Sequence, residues 1–428
     1  MHVLVAGVST RAAAESAARA GFVVTAIDAF GDLDQHPSVR CLSLQRDFTA
    51  DAAARAARSI ECDAVAYLSS FENHLRAVST LAAGRALWGN TPAVLRRVRD
   101  PMLVTRALRR RGIAAPGVYV ASGFRACEQT ANRRDRRDRR DRRDRGEENS
   151  EDSRRTLRAL RSKIAFFDTL FSGTEGRWLV KPLASGGGHR VRPWRCTTRL
   201  PRGCYLQELV DGTPGSVVFV AAGGRAVPLG VSRQLVGEHS FGVTGYRYCG
   251  NILVGAGDAG DAALVKRACA LAHAVAAEFG VVGVNGVDFV ARDGFPYAIE
   301  VNPRWSASME LVERAYGLSV FGAHAAACTA GALPEFDLMR ARRGEGAVGK
   351  AVVFARRDVA VGDTRAWLPG DAAASVRDIP HPNQRIAAGR PVCTVFATGR
   401  DAVSCHRALV RRAERVYAEL APWERRIA

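Results

Sequence analysis

The stretch Val284-Asn-Gly-Val-Asp-Phe-Val-Ala-Arg-Asp-Gly-Phe-Pro-Tyr-Ala-Ile-Glu-Val-Asn-Pro-Arg304 has the pattern of two β-strands joined by an Asp293-Gly294 turn. A three-residue loop centred on Gly294 would place Asp288 directly opposite Glu300. Strand alternation then predicts that the other face of the hairpin carries four apolar side chains, Val287, Phe289, Ile299 and Val301.

Two carboxylates at opposed positions would have Cβ atoms ~5 Å apart and would repel each other. A divalent cation between them removes the repulsion, and Asn302, two residues beyond Glu300, adds a neutral oxygen on the same face. Such an oxygen-only set suits Mg²⁺ that is shared with nucleotide phosphates. Arg304 follows, where a guanidinium could hold a transferring phosphoryl group or an acyl-phosphate.

The alternative is an exposed polar strand face with both carboxylates free in water and Arg304 paired with a surface carboxylate. It accounts for Asp288 and Glu300 separately. It does not explain why the run Glu-Val-Asn-Pro-Arg follows an apolar strand, so the metal site is the preferred interpretation.

Upstream, the segment Trp178-Leu-Val-Lys-Pro-Leu-Ala-Ser-Gly-Gly-Gly-His189 places Lys181 at the end of an apolar strand, four residues before Ser185. Three successive glycines let backbone N–H groups close around phosphate oxygens, and a lysine supplies a mobile charge for the same phosphates. The segment lacks the Gly-Lys-Ser/Thr helix start of the Walker motif. It therefore predicts a different nucleotide-binding loop, although Ser-Gly-Gly-Gly could also be only a connection.

The beginning of the chain alternates strands and helices. Apolar strands are predicted at Val3 to Val8, Phe22 to Asp28 and Asp63 to Ser69, with an Ala-rich helix that ends before Gly21. This pattern predicts a small parallel sheet whose ligand-binding edge includes Asp28 and the loop after Ser69.

Three further segments complete the chain. A linking helix from about Pro101 to Arg111 leads to a strand at Val118 to Ala121. Residues 128–155 are highly charged and contain four Arg-Arg-Asp repeats, so we predict a disordered insertion. An RNA-binding arm is the less favoured alternative, because the aspartates weaken attraction to phosphates and the lack of aromatic residues weakens base stacking. The pattern of residues 346–428 predicts a small α+β unit, with strands at Lys350 to Ala355 and Val392 to Ala397 and a helix from Asp401 to Leu420.

Composition excludes several classes of protein. The chain has 428 residues, 47% of them hydrophobic, and no uncharged apolar stretch long enough to span a bilayer. Much of the positive charge behind the net +19 is spread along helices, and the densest basic run, Arg133 to Arg145, is offset by the acidic stretch from Glu147 to Asp152. The ten cysteines are scattered without zinc spacing, which favours reduced core thiols. Since the N-terminus looks like a strand and not a signal peptide, we expect a cytoplasmic protein without nucleic-acid or membrane partners.

Four motifs together resemble the ATP-grasp superfamily in order and spacing over residues 100–335: Lys181-Pro with the glycine loop, Gln207-Glu-Leu-Val-Asp-Gly212, Asp288, and Glu300-x-Asn302-x-Arg304. The resemblance implies that Lys181 contacts nucleotide phosphates and that Ser185, Gly186, Gly187 and Gly188 close over them. It also implies that Glu208, with the Leu209 and Val210 backbone, meets the adenine, and that Asp288, Glu300 and Asn302 hold Mg²⁺ (or Mn²⁺) with ATP.

Two positions depart from the family pattern. Many relatives carry an ATP-contacting lysine after an Asp in the linking helix, whereas Asp100-Pro-Met-Leu has none. The usual acidic ribose contact meets Pro214-Gly215, so Asp211 is the substitute. Within the superfamily, Asn302 to Ser308, Asp378 to Asn383 and Ala388 to Val395 resemble bacterial proteins of one-carbon cofactor (tetrahydromethanopterin or methanofuran) biosynthesis.

The implied fold is an α/β and α+β multidomain protein with a two-lobed ATP-grasp fold. Its predicted order is a Rossmann-like pre-ATP-grasp α/β domain (1–99), a linking helix and strand (100–127), the disordered insertion (128–155), the small lobe with the glycine-rich loop (156–206), the large lobe with the Mg site (207–345) and the small C-terminal α+β unit (346–428).

The implied function is an ADP-forming ligase that activates a carboxylate as an acyl-phosphate and joins it to an amine, with Lys181 and Arg304 as the catalytic side chains. Its partners would be the small-molecule carboxylate and amine, and a homodimer is compatible with the pattern. Two alternatives stay open: carboxylase-type chemistry with bicarbonate, and a nucleotide-binding regulatory protein that has lost turnover.

Overall fold

The computed structural model of the chain describes residues 1–120, 177–195, 200–253, 255, 261–344, 346–368 and 375–424. The predicted insertion at residues 128–155 lies outside these residues. The chain divides into two compact units, a large first unit (1–116, 184–189 and 210–428) and a small second unit (117–183 and 190–209).

The first unit begins with a five-stranded parallel sheet, as the sequence predicts, in the order β3-β2-β1-β4-β5. Its strands are β1 (His2–Ala6), β2 (Val23–Asp28), β3 (Val39–Ser43), β4 (Ala64–Tyr67) and β5 (Ala86–Trp88). The helices of this region are α1 (Arg11–Arg19), α2 (Ala50–Ala56), α3 (Leu75–Leu81), α4 (Pro92–Val98) and α5 (Pro101–Arg110). Asp28 and the loop after β4 lie at the carboxyl ends of their strands, the ligand-binding edge of such a sheet.

The second unit is built around a four-stranded sheet in the order β6-β9-β7-β8. Its strands are β6 (Val118–Val120), β7 (Trp178–Pro182), β8 (Arg192–Pro193) and β9 (Cys204–Glu208). One face carries a small core of Val180, Trp194 and Leu206, and Lys181 points to the opposite side of β7 from Val180 because successive side chains alternate.

The rest of the first unit is organised by an eight-stranded antiparallel sheet in the order β14-β13-β10-β11-β12-β15-β19-β17. These strands are β10 (Thr213–Ala222), β11 (Arg225–Val236), β12 (Tyr248–Leu253), β13 (Gly283–Arg292), β14 (Phe295–Asn302), β15 (Ala347–Phe354), β17 (Val376–Arg377) and β19 (Pro391–Gly399). β16 (Val359–Ala360) and β18 (Arg385–Ile386) pair with each other. The strands predicted at Lys350 to Ala355 and Val392 to Ala397 thus continue the sheet that holds the predicted metal ligands.

Five helices accompany this sheet: α6 (Asp261–Phe279), α7 (Met309–Tyr316), α8 (Val320–Ala330), α9 (Leu338–Ala341) and α10 (Ala402–Glu424). α6 covers one face of the sheet, where Leu271 and Val275 share a buried apolar cluster with Phe219 and Val287. In the described part of the chain, no helix has the length and hydrophobicity that a membrane span requires.

The β13–β14 hairpin has the predicted pairing of Asp288 with Glu300, but its turn differs from the prediction. Arg292 pairs with Phe295, so the loop has two residues, Asp293 and Gly294, with φ of +54° and +74° as in a type I′ turn. A bulge between Asp288 and Phe289 then shifts the register by one residue.

The bulge also changes the apolar face of the hairpin. Ala298, and not the predicted Ile299, pairs with Phe289 and is buried with Val287 and Val301. The assignment of Ile299 to this core was therefore wrong. The two-residue turn and the bulge together add the same offset as a three-residue loop, which is why Asp288 still meets Glu300.

Candidate active site

The predicted metal ligands lie together at one edge of the eight-stranded sheet. Asp288 of β13 is directly opposite Glu300 of β14, and Asn302 pairs with Gly286 in the same ladder. On the other side of β13, Asp288 is opposite Ser216 of β10. The strands thus fix two carboxylates, one amide and one hydroxyl on one face.

Asp288 receives hydrogen bonds from neutral side chains. Gln234 Nε2 donates to its Oδ1 (2.9 Å), Asn302 Nδ2 donates to its Oδ2 (2.9 Å), and the Ser216 hydroxyl is a further donor. Burial, and then the nearby charge of Glu300, raise the pKa of Asp288 to about 6, against the lowering effect of Ser216, Arg304 and Asn302. The protein therefore holds this carboxylate in surroundings that disfavour its charge.

Glu300, in contrast, has an ion pair. Arg99 Nη1 donates to Glu300 Oε1 at 2.6 Å and to the Val301 carbonyl at 3.0 Å. Arg99 follows α4 directly and precedes Asp100, whose side chain caps α5 by accepting from the Met102 and Leu103 amides. The helix junction thus fixes the backbone of Arg99 beside Glu300.

Arg304 pairs with a buried carboxylate and not with a surface one. Its Nε donates to Glu72 Oε1 at 2.7 Å, and Glu72 follows β4 at the carboxyl edge of the parallel sheet. Its Nη2 donates to Asn302 Oδ1 at 3.2 Å. Arg304 therefore connects the loop after β4 to the predicted metal ligands, and its guanidinium is held in a defined orientation.

The donor set fits a small divalent cation. Asp288, Glu300 and Asn302 would offer only oxygen ligands, and burial together with the nearby charge of Glu300 raises the pKa of Asp288, so that a cation would stabilise its charged form. Among the residues that the structure describes, no group of three or more His, Cys, Asp or Glu side chains could hold a metal. The candidate here has two carboxylates, and the amide of Asn302 as the third ligand stays a prediction.

The predicted phosphate loop, Ser185 to Gly188, is hydrogen-bonded to other residues of the first unit. The Tyr248 amide donates to the Gly187 carbonyl (3.1 Å), and Arg99 Nη2 donates to the Ser185 carbonyl (3.2 Å). Gly188 has a φ of +74°, and a Cβ there would come 1.8 Å from the Tyr246 carbonyl oxygen. Glycine is thus required at this position, whereas Gly186 and Gly187 are exposed.

Three of the predicted ATP contacts, Lys181, Glu208 and Leu209, lie in the second unit. Lys181 is buried, and its Nζ donates to Gln207 Oε1 at 3.1 Å and lies 5.9 Å from the centre of the Tyr205 ring. Glu208 Oε2 accepts from the Gly117 amide at 2.8 Å, and the Leu209 amide donates to the Arg177 carbonyl at 2.7 Å.

The last two predicted contacts differ in exposure. Val210 is buried, whereas Asp211 is exposed. The adenine contacts of Glu208, Leu209 and Val210, like the ribose contact of Asp211, stay predictions.

Sequence reasoning missed Arg99, Gln234 and Glu72. Gln234 and Glu72 come from segments 54 and 232 residues away from their partners Asp288 and Arg304. Arg99 could have been found from the sequence. It lies directly before Asp100, where many relatives carry a lysine after the Asp and this chain has none, so a nearby basic residue was a candidate.

The ATP-grasp domain profile matches residues 152–308, which include the glycine loop, Asp288, Glu300, Asn302 and Arg304. The chain contains an ATP-grasp domain. A search of curated protein sequences found no match.

Solved structures with the same fold cover nearly the whole chain. The biotin carboxylase domain of a Hydrogenobacter thermophilus 2-oxoglutarate carboxylase, a dimer in complex with MgADP and bicarbonate, has a TM-score of 0.61 at 13% identity over 93% of this chain and 86% of its own. An L-amino acid ligase from Bacillus licheniformis has a TM-score of 0.60 at 13% identity, covering 96% of both chains. N5-carboxyaminoimidazole ribonucleotide synthetase from Thermotoga maritima has a TM-score of 0.61 at 14% identity, covering 96% of this chain and 98% of its own.

At these identities the likeness shows the fold alone, and the predicted multidomain ATP-grasp architecture is confirmed. The one-carbon cofactor subgroup, the homodimer and the cytoplasmic location stay predictions.

Proposed function

We propose that this protein is an ATP-dependent, ADP-forming ligase that activates a carboxylate and joins it to an amine. The observation that carries the proposal is the set of side chains at the sheet edge: the opposed Asp288 and Glu300, with Asn302 and Arg304, in an ATP-grasp domain. Asp288 and Glu300 are partly buried, and beyond the Arg99 cation that pairs with Glu300, a metal ion would offset the repulsion between the two carboxylates.

Each side chain has a proposed role. Asp288, Glu300 and Asn302 would hold Mg²⁺, which when bound supplies Lewis-acid charge neutralisation to the phosphates. Lys181 and the Ser185 to Gly188 loop would hold the nucleotide phosphates. Glu208, Leu209 and Val210 would contact the adenine and Asp211 the ribose.

The proposed reaction has two steps. An oxygen of the substrate carboxylate attacks the γ-phosphorus of ATP, and ADP leaves, which gives an acyl-phosphate. The nitrogen of the amine then attacks the acyl carbon, the bond from that carbon to the phosphate oxygen breaks, and inorganic phosphate and a proton leave. Arg304 would stabilise the transferring phosphoryl group, and alignment of the reactants would supply the rest of the acceleration without a side-chain nucleophile.

We propose substrates from one-carbon cofactor (tetrahydromethanopterin or methanofuran) biosynthesis, on the resemblance of residues 302–308, 378–383 and 388–395 to that group. These segments include Arg304 itself and the first part of β19, a strand of the same eight-stranded sheet. Acids and amines of that chemistry therefore come first in a substrate panel.

The test is ADP formation by the full-length protein with Mg²⁺ and a panel of carboxylic acids, with hydroxylamine present to trap acyl-phosphates as hydroxamates. We expect ADP and hydroxamate with one acid class, and loss of both in Glu300→Gln. Glu278→Gln, which changes a partly exposed carboxylate that pairs with Arg110 away from the site, is the control. ADP formation with bicarbonate and no acid would instead indicate carboxylase chemistry, and nucleotide binding without any substrate-dependent ADP would indicate a regulatory protein.

A further inference from the structure

Arg99 connects the proposed metal site to the phosphate loop. Its Nη1 donates to Glu300 Oε1 at 2.6 Å, and its Nη2 donates to the Ser185 carbonyl at 3.2 Å and to Asn73 Oδ1 at 3.1 Å. The Arg99 side chain is 12% exposed and that of Glu300 24% exposed, so water weakens this ion pair less than it would a surface pair. One guanidinium thus holds a carboxylate ligand and the glycine loop together.

The two opposed carboxylates have different hydrogen-bond partners. Glu300 has the Arg99 cation at hydrogen-bond distance, whereas Asp288 is hydrogen-bonded by the neutral side chains of Gln234, Asn302 and Ser216. A divalent cation and a guanidinium that bind the same carboxylate repel each other. Metal binding at Glu300 should therefore weaken the Arg99–Glu300 pair.

The phosphate loop gives the displaced guanidinium a new partner. Arg99 Nη2 already lies 3.2 Å from the Ser185 carbonyl, at the start of the loop that would hold nucleotide phosphates. A planar guanidinium with several donors suits phosphate oxygens as well as carboxylates. The exchange requires only a side-chain movement, because the α4–α5 junction holds the backbone of Arg99 in place.

We propose that Arg99 is an internal counter-ion that competes with the metal for Glu300 and moves to the nucleotide phosphates when metal and nucleotide bind together. This inference rests on the proposed nucleotide and metal site. It predicts that the protein binds free divalent metal weakly and binds the metal–nucleotide complex well. Loss of Arg99 should then change the two affinities in opposite directions.

The experiment measures Mn²⁺ binding to the full-length protein by electron paramagnetic resonance, with and without β,γ-imido-ATP. For Arg99→Met we expect Mn²⁺ alone to bind roughly tenfold more tightly and Mn²⁺ with the analogue to bind roughly tenfold more weakly, the scale of one charge-assisted hydrogen bond. Arg99→Gln, which keeps an N–H donor without the charge, is measured in parallel with the same expected signs. Arg110→Met removes an exposed arginine from its pair with Glu278 and should change neither affinity.

The outcomes separate the inference from the proposed function. Affinities that fall together, or do not change, in both Arg99 variants would overturn the counter-ion role. If Arg99→Met does not fold, as a thermal melt would show, Arg99→Gln decides the question. If the unaltered protein shows no nucleotide-dependent Mn²⁺ binding that Glu300→Gln abolishes, the proposed function itself is wrong.

Discussion

Lys181 is the single lysine that both the strand pattern and the family resemblance connect to the nucleotide. Its ammonium is buried beside Gln207 and the Tyr205 ring, so the fold holds a desolvated cation in a defined place. We expect Lys181→Met to lower the rate of substrate-dependent ADP formation by ~10²-fold or more, the scale for removal of one preorganised electrostatic donor. Lys266→Met, on the exposed side of α6, is the matched control and should leave the rate unchanged. Turnover that survives in Lys181→Met would remove Lys181 from the site.

The sequence predicted the site residues that lie on one hairpin, and it missed those that come from distant parts of the chain. Asp288, Glu300 and Asn302 follow from strand alternation, because a hairpin brings together residues that are close in sequence. Arg99 is 201 residues from Glu300, and no local period predicts that contact. Burial also could not be predicted: the pKa of about 6 for Asp288 depends on its packing in the folded sheet.

At the scale of elements, the glycine loop offers a direct test. Gly188 combines a φ of +74° with a clash that any Cβ would make against the Tyr246 carbonyl. We therefore expect Gly188→Ala to displace the loop and to weaken nucleotide binding at least ~tenfold, since one lost charge-assisted contact already has that effect.

The control for Gly188 separates the clash from backbone strain. Gly223, in the turn between β10 and β11, has a φ of +56° and open space where the methyl group of an alanine would lie, so Gly223→Ala suffers the strain alone. It should lose ~1 kcal/mol of stability and keep its nucleotide affinity, measured by calorimetric titration. Equal nucleotide affinity in both variants would argue against a phosphate-binding loop.

We expect the packing of α8 against β13 to depend on pH, because His324 of α8 contacts β13. Its Nδ1 accepts from the Val284 amide at 2.9 Å, and burial lowers the pKa of His324 from 6.5 to about 4. A histidine with a lowered folded-state pKa contributes its full stability above pH ~6.5, and this is lost as the pH falls towards 4. At one pKa unit per 1.36 kcal/mol, the loss approaches ~3 kcal/mol.

The measurement for His324 is the free energy of unfolding in denaturant at pH values from 7 to 4. His324→Asn keeps an acceptor for Val284 without a titrating ring, so its stability should depend less on pH than that of the unaltered protein over this range. His273→Asn, on the exposed side of α6, should follow the unaltered protein. Parallel pH profiles for all three proteins would contradict the assignment.

For the whole molecule, local patterns predicted the kinds of element but not how distant segments combine. The parallel sheet at the beginning of the chain and the strands near its end were predicted separately, and periodicity does not say which strands share a sheet. In the first unit, segments near residues 11, 34, 310 and 378 meet in one buried ionic cluster around Arg11. The local sequence does not indicate that any of these charged residues is buried, because each would equally suit an exposed position.

Arg11 should therefore be a major determinant of the stability of the first unit. Its side chain is 0% exposed and donates to Asp378 (2.7 Å), Glu310 (2.7 Å) and Glu15 (3.0 Å). Burial alone would lower the pKa of Arg11, but the carboxylates of Asp378, Glu310 and Asp34 raise it well above its usual value, so the guanidinium stays charged. Removing the cation leaves buried carboxylates without their partner, and we expect Arg11→Met to lower the free energy of unfolding by ~3–5 kcal/mol.

A double-mutant cycle distinguishes this ionic effect from lost packing. Asp378→Asn removes one of the carboxylates that Arg11 neutralises, so combining it with Arg11→Met should cost less than the sum of the two single changes by ~1 kcal/mol or more in denaturant unfolding. Arg110→Met, which breaks an exposed pair with Glu278, should hardly change the stability. Strict additivity of Arg11→Met and Asp378→Asn would mean that the arginine acts through its volume and not its charge. A measured coupling would instead show that ionic contacts hold the first strand–helix unit to β17 and to the sheet that carries the predicted metal ligands.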